Sequence, residues 1–268
     1  MPAFRACNLC GNTSPKLRWE RNGYSIVECN QCGLQYVGED PKNIDFAALY
    51  SEAYYTGGSG QVFADYVGEE RGRRASARRK LRSMRRRTTR SGRLLDVGCA
   101  AGFFLVEARN YFETQGVEIS EFSSRIARER FGLDVFTGSL QDAKFTTDSF
   151  DVITMWDVVE HLPDPKSVLV EASRVLKPGG SLVLTTGDVG SRYARRAGPN
   201  WHLLEPPWHL YFFSRATMSA MGAAAGLRVG ECSSTGVASD LRVLRSLPGR
   251  VVTNLLGLGD IMEMTLTK

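Results

Sequence analysis

No apolar run in the chain approaches the length needed to cross a bilayer, and cysteines stand near the amino terminus where a secretory signal would carry its apolar stretch. These absences predict a cytoplasmic protein without a membrane span. Histidine is scarce: only three occur, His161, His202 and His209, so chemistry that needs a base near neutrality has few places to sit. The G-x-G-x-x-G spacing of dinucleotide sites and the lysine and serine of a P-loop are both missing. Acidic residues are absent from 71–93, a stretch that holds twelve of the 34 Lys and Arg. The net charge of +5 is therefore local, because elsewhere 22 basic residues face 29 acidic ones.

Cysteine is sparse outside two pairs. Cys7-x-x-Cys10 and Cys29-x-x-Cys32 are separated by eighteen residues, the two-knuckle spacing of a zinc ribbon. Gly11 and Gly33 follow the second cysteine of each pair and let the backbone fold around a metal. Four thiolates close the coordination shell, so the expected Zn2+ is structural and supplies folding energy to a small module. The alternative is four reduced cysteines without metal; a redox role is disfavoured because no thioredoxin-like βαβ pattern surrounds them. Cys99 and Cys232 are isolated and predicted to be free thiols.

The most informative run is Leu94-Leu95-Asp96-Val97-Gly98-Cys99-Ala100-Ala101-Gly102-Phe103-Phe104, followed by Glu118 about twenty residues past the turn. It predicts a buried strand, a sharp turn of small residues and a helix from Phe103 to Arg109. A nucleotide-like ligand can approach bare main chain there. A carboxylate at the end of the next strand suits the two hydroxyls of a ribose. Ala100 stands where a glycine would be easier, and is expected to be tolerated if it keeps a negative φ.

At these residues the chain resembles the class I S-adenosylmethionine-dependent methyltransferases. Two further stretches carry the resemblance: Phe150 to Pro165, which is similar to the family's fourth strand and following loop, and Leu176-Lys177-Pro178-Gly179-Gly180, similar to its turn into the fifth strand. The resemblance implies an α/β fold, a Rossmann-like seven-stranded methyltransferase sheet with helices on both faces, with the ribbon as a small N-terminal addition. It implies S-adenosylmethionine as cofactor. Asp96, Gly98, Ala100 and Gly102 would form the turn, Glu118 and Ile119 the ribose and adenine side, Ser139 and Leu140 the adenine contacts. Trp156 and Asp157 would border the methionine half. Ser139 stands where the family commonly has aspartate, and Asp142 is a substitute with a plainer role as a surface turn residue.

Cys29-Asn-Gln-Cys-Gly-Leu-Gln-Tyr-Val, Pro41 and Leu49-Tyr50 resemble a bacterial subgroup that joins a zinc ribbon to this catalytic domain and acts mostly on natural products, sugars and other small molecules. The implied organisation is a ribbon over 1–40, an aromatic linker and basic helix over 41–92, and a catalytic domain over 93–268 with a substrate insertion over 187–213. Tyr50, Tyr54, Tyr55, Phe63 and Tyr66 suit a lid beside the glycines at 57–60, or simple packing. Arg71 to Arg90 is predicted to be a helix with a narrow apolar stripe, a solvated face rather than a phosphate grip. Caps predict helices from Glu121 to Phe131, between Ser120 and Gly132, and from Thr217 to Ala225, between Ser214 and Gly226. Ser167 to Val175 is a further predicted helix. Strands are predicted at Leu133–Phe136, Phe150–Thr154, Ser181–Thr185, Leu227–Ser233 and Met262–Lys268, the last two as an antiparallel hairpin. The amphipathic stretch from Val243 to Leu258 could cover the pocket or a homodimer face.

Trp201, Pro206, Pro207, Trp208, His209, Tyr211, Phe212 and Phe213 concentrate apolar area around one imidazole, as a small-molecule pocket requires. Methyl transfer to oxygen or carbon calls for an acceptor that has lost its proton, so His161 and His209 are the candidate catalytic bases. A small-molecule methyltransferase is the first reading, with nucleic acid disfavoured as partner. An RNA base methyltransferase, and a non-catalytic cofactor-binding module of the same fold, are the alternatives.

Overall fold

Short apolar runs alternating with amphipathic stretches favour a sheet flanked by helices. The structure, a computed structural model, describes residues 4–57, 66–235 and 259–268. Its strands are β1 (Lys16–Arg21), β2 (Tyr24–Glu28), β3 (Gln35–Val37), β4 (Arg93–Val97), β5 (Glu113–Glu118), β6 (Val135–Thr137), β7 (Phe150–Trp156), β8 (Leu176–Gly187), β9 (Tyr211–Phe212), β10 (Arg228–Thr235) and β11 (Ile261–Thr267). Helices are α1 (Phe46–Leu49), α2 (Glu52–Tyr55), α3 (Glu70–Met84), α4 (Phe103–Ala108), α5 (Glu121–Phe131), α6 (Pro165–Val175), α7 (Arg192–Ala197) and α8 (Arg215–Ala224). One sheet of seven strands runs β10-β11-β8-β7-β4-β5-β6, and one of four runs β1-β2-β3-β9. The Rossmann-like α/β fold expected from the sequence is the fold found. Among the described residues no helix is long and apolar enough to cross a membrane.

Contacts group the described residues into two compact units, one from Asp45–Trp156, Glu171–Val183 and Thr267–Lys268, the other from Met1–Ile44, Asp157–Val170 and Leu184–Leu266. In the first, β4 pairs in parallel with β5 and β7, and β5 with β6. The register sets Asp96 opposite Gly116 and Thr154, and Glu118 opposite Thr137. Parallel strands bring their carboxyl ends to one edge, the edge where open sheets bind ligands. The core here joins Leu81 and Met84 of α3 to Leu94, Phe104, Leu105 and Val152. Ion pairs of α3 serve that packing: Arg74 and Arg78 both reach the buried Glu107 carboxylate at 2.7 and 2.9 Å, and Arg130 of α5 reaches Glu70 of α3 at 2.5 Å. Tyr66 stacks on Phe103 and Tyr55 packs against Phe122, so these linker aromatics are packed as well as placed beside the sheet.

Caps behave as the sequence predicts. Ser120 accepts from the Ser123 N–H and Gly132 closes α5 at φ 62°; Ser214 and Thr217 form a reciprocal capping box on α8. Strand lengths differ more. β7 extends two residues beyond the expected end to Trp156, and β8 starts at Leu176 rather than Ser181. β6 begins at Val135 rather than Leu133, and α6 begins at Pro165. β10 and β11 are neighbours at one side of the large sheet, as the hairpin expectation requires. Phe63, residues 58–60 and the stretch 243–258 lie outside the described residues.

In the second unit the cysteine-bearing segment is not an isolated ribbon. β3 pairs antiparallel with β9, Tyr36 lying opposite Tyr211 and Gln35 opposite Phe212. Arg5 clamps the pair: its Nη1 donates to the Tyr211 hydroxyl at 2.9 Å, and its guanidinium lies over the Tyr36 and Tyr211 rings. Asn8 donates to Asp164 at 2.8 Å and accepts from the Lys166 N–H at 3.1 Å. Trp201, Tyr211 and Phe213 are almost fully buried, and Trp201 and Tyr211 also border a small cleft.

Candidate active site

The turn after β4 is built on left-handed backbone. Gly98, Ala100 and Gly102 have φ of 70°, 48° and 78°. The negative φ expected for Ala100 is therefore not what the chain adopts. An L-residue in this region carries a cost of about 1–2 kcal/mol, and a specific bond holds it: the Ala100 N–H donates to Glu118 Oε2 at 2.8 Å. Gly102 is required on two counts, since a Cβ there would also come within 2.4 Å of Leu133 Cδ1.

Glu118 is 4% exposed at the end of β5. Its other oxygen, Oε1, accepts from the Ser120 N–H at 2.8 Å. Burial raises its pKa, with the Ser120 and Ala100 N–H groups and the Tyr55 hydroxyl opposing the shift. Asp96, also buried, accepts from the Thr154 hydroxyl at 2.6 Å. Burial pushes its pKa up to about 7, against the Thr154 bond and the Lys80 charge. Two buried carboxylates at adjacent strand ends are costly without partners, and here main-chain N–H groups meet Glu118 while the Thr154 hydroxyl meets Asp96.

The surrounding groups fit a nucleoside. Ile119 is 59% exposed despite its size, leaving an apolar flank for a flat base, and Leu140 is buried nearby in sequence to the half-buried Ser139. The Ser139 hydroxyl donates to Asp142 at 2.5 Å, and the Asp142 N–H returns a bond to that hydroxyl at 3.2 Å. Asp142 thus caps its own exposed turn, and the bond from Ser139 lowers its pKa. Trp156 packs on Phe104 with centroids 5.2 Å apart and lies under the Lys80 ammonium at 4.9 Å. Its buried indole N–H has no hydrogen-bond partner among the described residues, a donor that a polar ligand would satisfy.

A second constellation lies in the other unit. Asp157, at φ 58°, accepts from the Thr185 hydroxyl at 2.7 Å. His161 and His209, separate candidates in the sequence, meet edge to face with ring centroids 4.7 Å apart. His161 Nδ1 lies 2.8 Å from the Trp208 carbonyl and His209 Nδ1 lies 2.7 Å from the Leu203 carbonyl. A carbonyl only accepts, so Nδ1 carries the hydrogen in both rings. Burial, helped by the facing His209, drives the His161 pKa down to about 3, and burial lowers that of His209. Both imidazoles are therefore neutral. Glu160 joins them through the backbone, its carbonyl accepting from the Leu210 N–H at 2.8 Å. Glu160 and His209 border a small cleft with Thr186, Trp201 and Tyr211. His202 stands apart from the pair, its Nδ1 3.5 Å from the buried Asp260 carboxylate.

The four cysteines of the pairs converge. Cys7 and Cys32 sulfurs lie 3.5 Å apart, as do those of Cys10 and Cys29, close to the tetrahedral edge of about 3.8 Å expected for four sulfurs bound at about 2.3 Å. The two knuckles repeat one hydrogen-bond scheme: Gly11 N–H to Cys7 O and Gly33 N–H to Cys29 O, at 2.8 and 3.0 Å. Both glycines take φ near 75°, at 76° and 75°. The donor set and its spacing fit zinc.

Strand order and the parallel pairing around β4 define a Rossmann-like α/β protein. Residues 69–231 match the model of a methyltransferase domain family, and the chain belongs to that family. Among curated relatives, the ubiquinone biosynthesis O-methyltransferase of Aeromonas salmonicida is 28% identical over 158 residues, covering 53% of this chain and 65% of the relative. The protein of the same description from Hahella chejuensis is 36% identical over 104 residues, covering 35% of this chain and 42% of the relative. The chain thus spans less than two thirds of the length of these relatives. A solved S-adenosylmethionine-dependent methyltransferase from Archaeoglobus fulgidus matches with a TM-score of 0.58 at 18% identity, over 76% of this chain and 99% of that one, a likeness of fold.

Proposed function

We propose that the chain transfers a methyl group from S-adenosylmethionine to a hydroxyl oxygen of a small molecule, a natural-product or sugar intermediate, with a carbon acceptor as the alternative. The observation that carries this reading is the buried Glu118 carboxylate beside the left-handed turn at Gly98–Gly102. Its two oxygens are aligned by main-chain donors, and the hydroxyls of a ribose would join that set by displacing the Tyr55 hydroxyl, which also donates to this carboxylate. Ile119 and Leu140 flank the adenine, the Ser139 main chain addresses its ring, and Trp156 and Asp157 border the methionine half. Asp96, held by the Thr154 hydroxyl at the end of β4, is the further cofactor-site residue of this turn. Oxygen as acceptor is supported by the O-methyltransferase descriptions of both relatives.

S-adenosylmethionine, when bound, supplies an electrophilic methyl on a sulfonium with a leaving group that needs no protonation. The protein's share is then proximity and removal of the acceptor proton. That second task we assign to His161 or His209, whose Nε2 carries the lone pair because Nδ1 carries the hydrogen, although burial of both rings opposes the charge a transferred proton creates. Structural Zn2+ held by Cys7, Cys10, Cys29 and Cys32 would fix the segment that carries β3.

Calorimetric titration with S-adenosylhomocysteine tests the cofactor half, and a homocysteine-release screen over hydroxylated metabolites tests the reaction. Saturable binding and turnover of at least one hydroxylated compound are expected. Folded protein that binds neither S-adenosylmethionine nor its product would overturn the reading.

A further inference from the structure

We propose that Arg5 is a positioning residue for the acceptor side of the reaction: it fastens the segment that carries the first cysteine pair to the two segments that carry His161 and His209. What the histidines do rests on the methyl-transfer reading; what holds them in place does not. β9 is two residues long and meets β3 at Tyr36–Tyr211 and Gln35–Phe212. A ladder that short contributes too few backbone bonds to fix the 203–212 stretch unaided. Arg5 supplies the rest: its Nε donates to the Val37 carbonyl in β3 at 2.7 Å, Nη1 to the Tyr211 hydroxyl in β9 at 2.9 Å and Nη2 to the Leu210 carbonyl at 3.5 Å. Three acceptors on two chain segments suit the planar fork of a guanidinium and not the single point of an ammonium. The Arg5 main chain is anchored separately. Its N–H donates to the Gly38 carbonyl at 2.9 Å and its carbonyl accepts from the Tyr36 hydroxyl at 3.2 Å, so loss of the fork leaves the backbone held.

The Tyr211 hydroxyl carries the connection onward. While accepting from Arg5 it donates to the Pro163 carbonyl at 3.1 Å, in the loop that follows His161. Asn8, between Cys7 and Cys10, grips the same loop further along, donating to Asp164 at 2.8 Å and accepting from the Lys166 N–H at 3.1 Å. The Leu210 N–H to Glu160 carbonyl bond closes the frame. The bond from His161 Nδ1–H to the Trp208 carbonyl, at 2.8 Å, crosses from one histidine segment to the other and is only as firm as that frame. Among the described residues that border the cleft are His209 and Tyr211, and Arg5 is not one of them. Its effect on the acceptor therefore passes through Tyr211 and the backbone. Misplacing a reacting group by about 1 Å costs about a hundredfold in rate, so a support of this kind matters to turnover without touching the acceptor.

The test uses the full chain labelled with 15N-histidine and follows the imidazole nitrogens by NMR. Wild-type His161 should show the Nδ1–H tautomer that a carbonyl acceptor enforces. Arg5→Gln should move about half or more of it to Nε2–H, while the exposed His202 keeps its signal as an internal reference. Tyr211→Phe, which keeps the ring and loses the hydroxyl, should shift His161 in the same direction, and Arg5→Lys should restore only part of the wild-type signature. With S-adenosylmethionine and a hydroxylated compound that the wild type turns over, Arg5→Gln should lower kcat at least tenfold and leave the KM for S-adenosylmethionine within about twofold. An unchanged His161 tautomer in Arg5→Gln overturns the proposal, as does a shifted tautomer with unchanged kcat. If Arg5→Gln does not melt cooperatively, Tyr211→Phe decides by the same two readouts. A wild type that binds no S-adenosylhomocysteine removes the methyl-transfer reading instead, and the two failures are told apart because the tautomer is read without cofactor.

Discussion

Replacing Glu118 tests the cofactor site and the turn together. From sequence alone, Glu118→Ala is expected to weaken cofactor binding with the fold intact. The geometry revises the second half of that expectation. Glu118 accepts from two main-chain donors, Ala100 N–H and Ser120 N–H, each at 2.8 Å, and Ala100 sits at a φ of 48° that it would not choose unaided. Truncation orphans both donors. At about 1–3 kcal/mol per orphaned group, the loss reaches about 2–6 kcal/mol, reduced where water enters the space left by the side chain. For a protein of this size that is a fall in Tm on the order of 5–15 °C. Glu118→Gln keeps one acceptor oxygen and presents an amide to the other donor, so about half of that fall is expected. The binding effect runs differently. Both variants lose the charge that strengthens bonds from a ribose diol, and both should weaken S-adenosylhomocysteine at least tenfold by calorimetry. Differential scanning calorimetry without ligand reads the first effect and titration the second. A Glu118→Ala protein with unchanged Tm and unchanged Kd would refute the account of both the turn and the ribose site.

Three further outcomes follow from the same geometry. Ala100→Gly should raise Tm by about 2 °C, because the relief of left-handed strain exceeds the added chain entropy of glycine; a fall in the thermal melt would show that the Ala100 methyl contributes packing. Cys10→Ser should remove zinc by elemental analysis and speed proteolysis within the first forty or so residues, and stoichiometric zinc retained by that variant would contradict the four-sulfur set. Asp96→Asn should change how stability depends on pH: with its pKa raised to about 7, Asp96 binds a proton in the folded state that the unfolded chain releases above about pH 4. Its contribution is full below that point and is lost as pH rises through 7, at up to about 1.4 kcal/mol per pH unit. The asparagine variant should therefore lose this downward slope between about pH 4 and 7, and parallel stability profiles would show that Asp96 titrates normally.

Where chemistry is local, the sequence is legible. Ser120, Gly132 and Ser214 delimit their helices because a cap is decided within four residues. The G-x-A-x-G turn and Glu118 are found for a similar reason, since a parallel βαβ unit brings its two strand ends together at a fixed spacing. The β8 start is missed because the Leu176 to Gly180 stretch reads locally as a turn, while distant pairing decides otherwise: Gly179 N–H donates to the Lys268 carbonyl and Lys268 N–H to that of Gly180, at 3.3 and 3.2 Å. Tyr211 and Phe212 show the same limit. Two residues carry no strand signal of their own, and only the pairing with β3 makes them one.

The histidines mark the deeper version of this limit. Sequence supplies His161 and His209 as rival bases because nothing in the spacing says that they touch. The contact depends on Trp208 and Leu203 carbonyls that orient the rings, and on the Leu210 to Glu160 backbone bond that brings the segments together. Main-chain groups have no identity in a sequence, so a site oriented by carbonyls leaves no motif to read. It follows that substitutions at Trp208 or Leu203 that preserve the backbone should leave the imidazole pair in place, whereas a change that moves the 203–210 segment should separate it. The same logic reaches the cysteine pairs. β3 pairs with β9 directly after Leu210, and the Val37 N–H donates to the Leu210 carbonyl at 2.9 Å. Order in the cysteine-bearing segment and placement of His209 are thus joined through one strand pair.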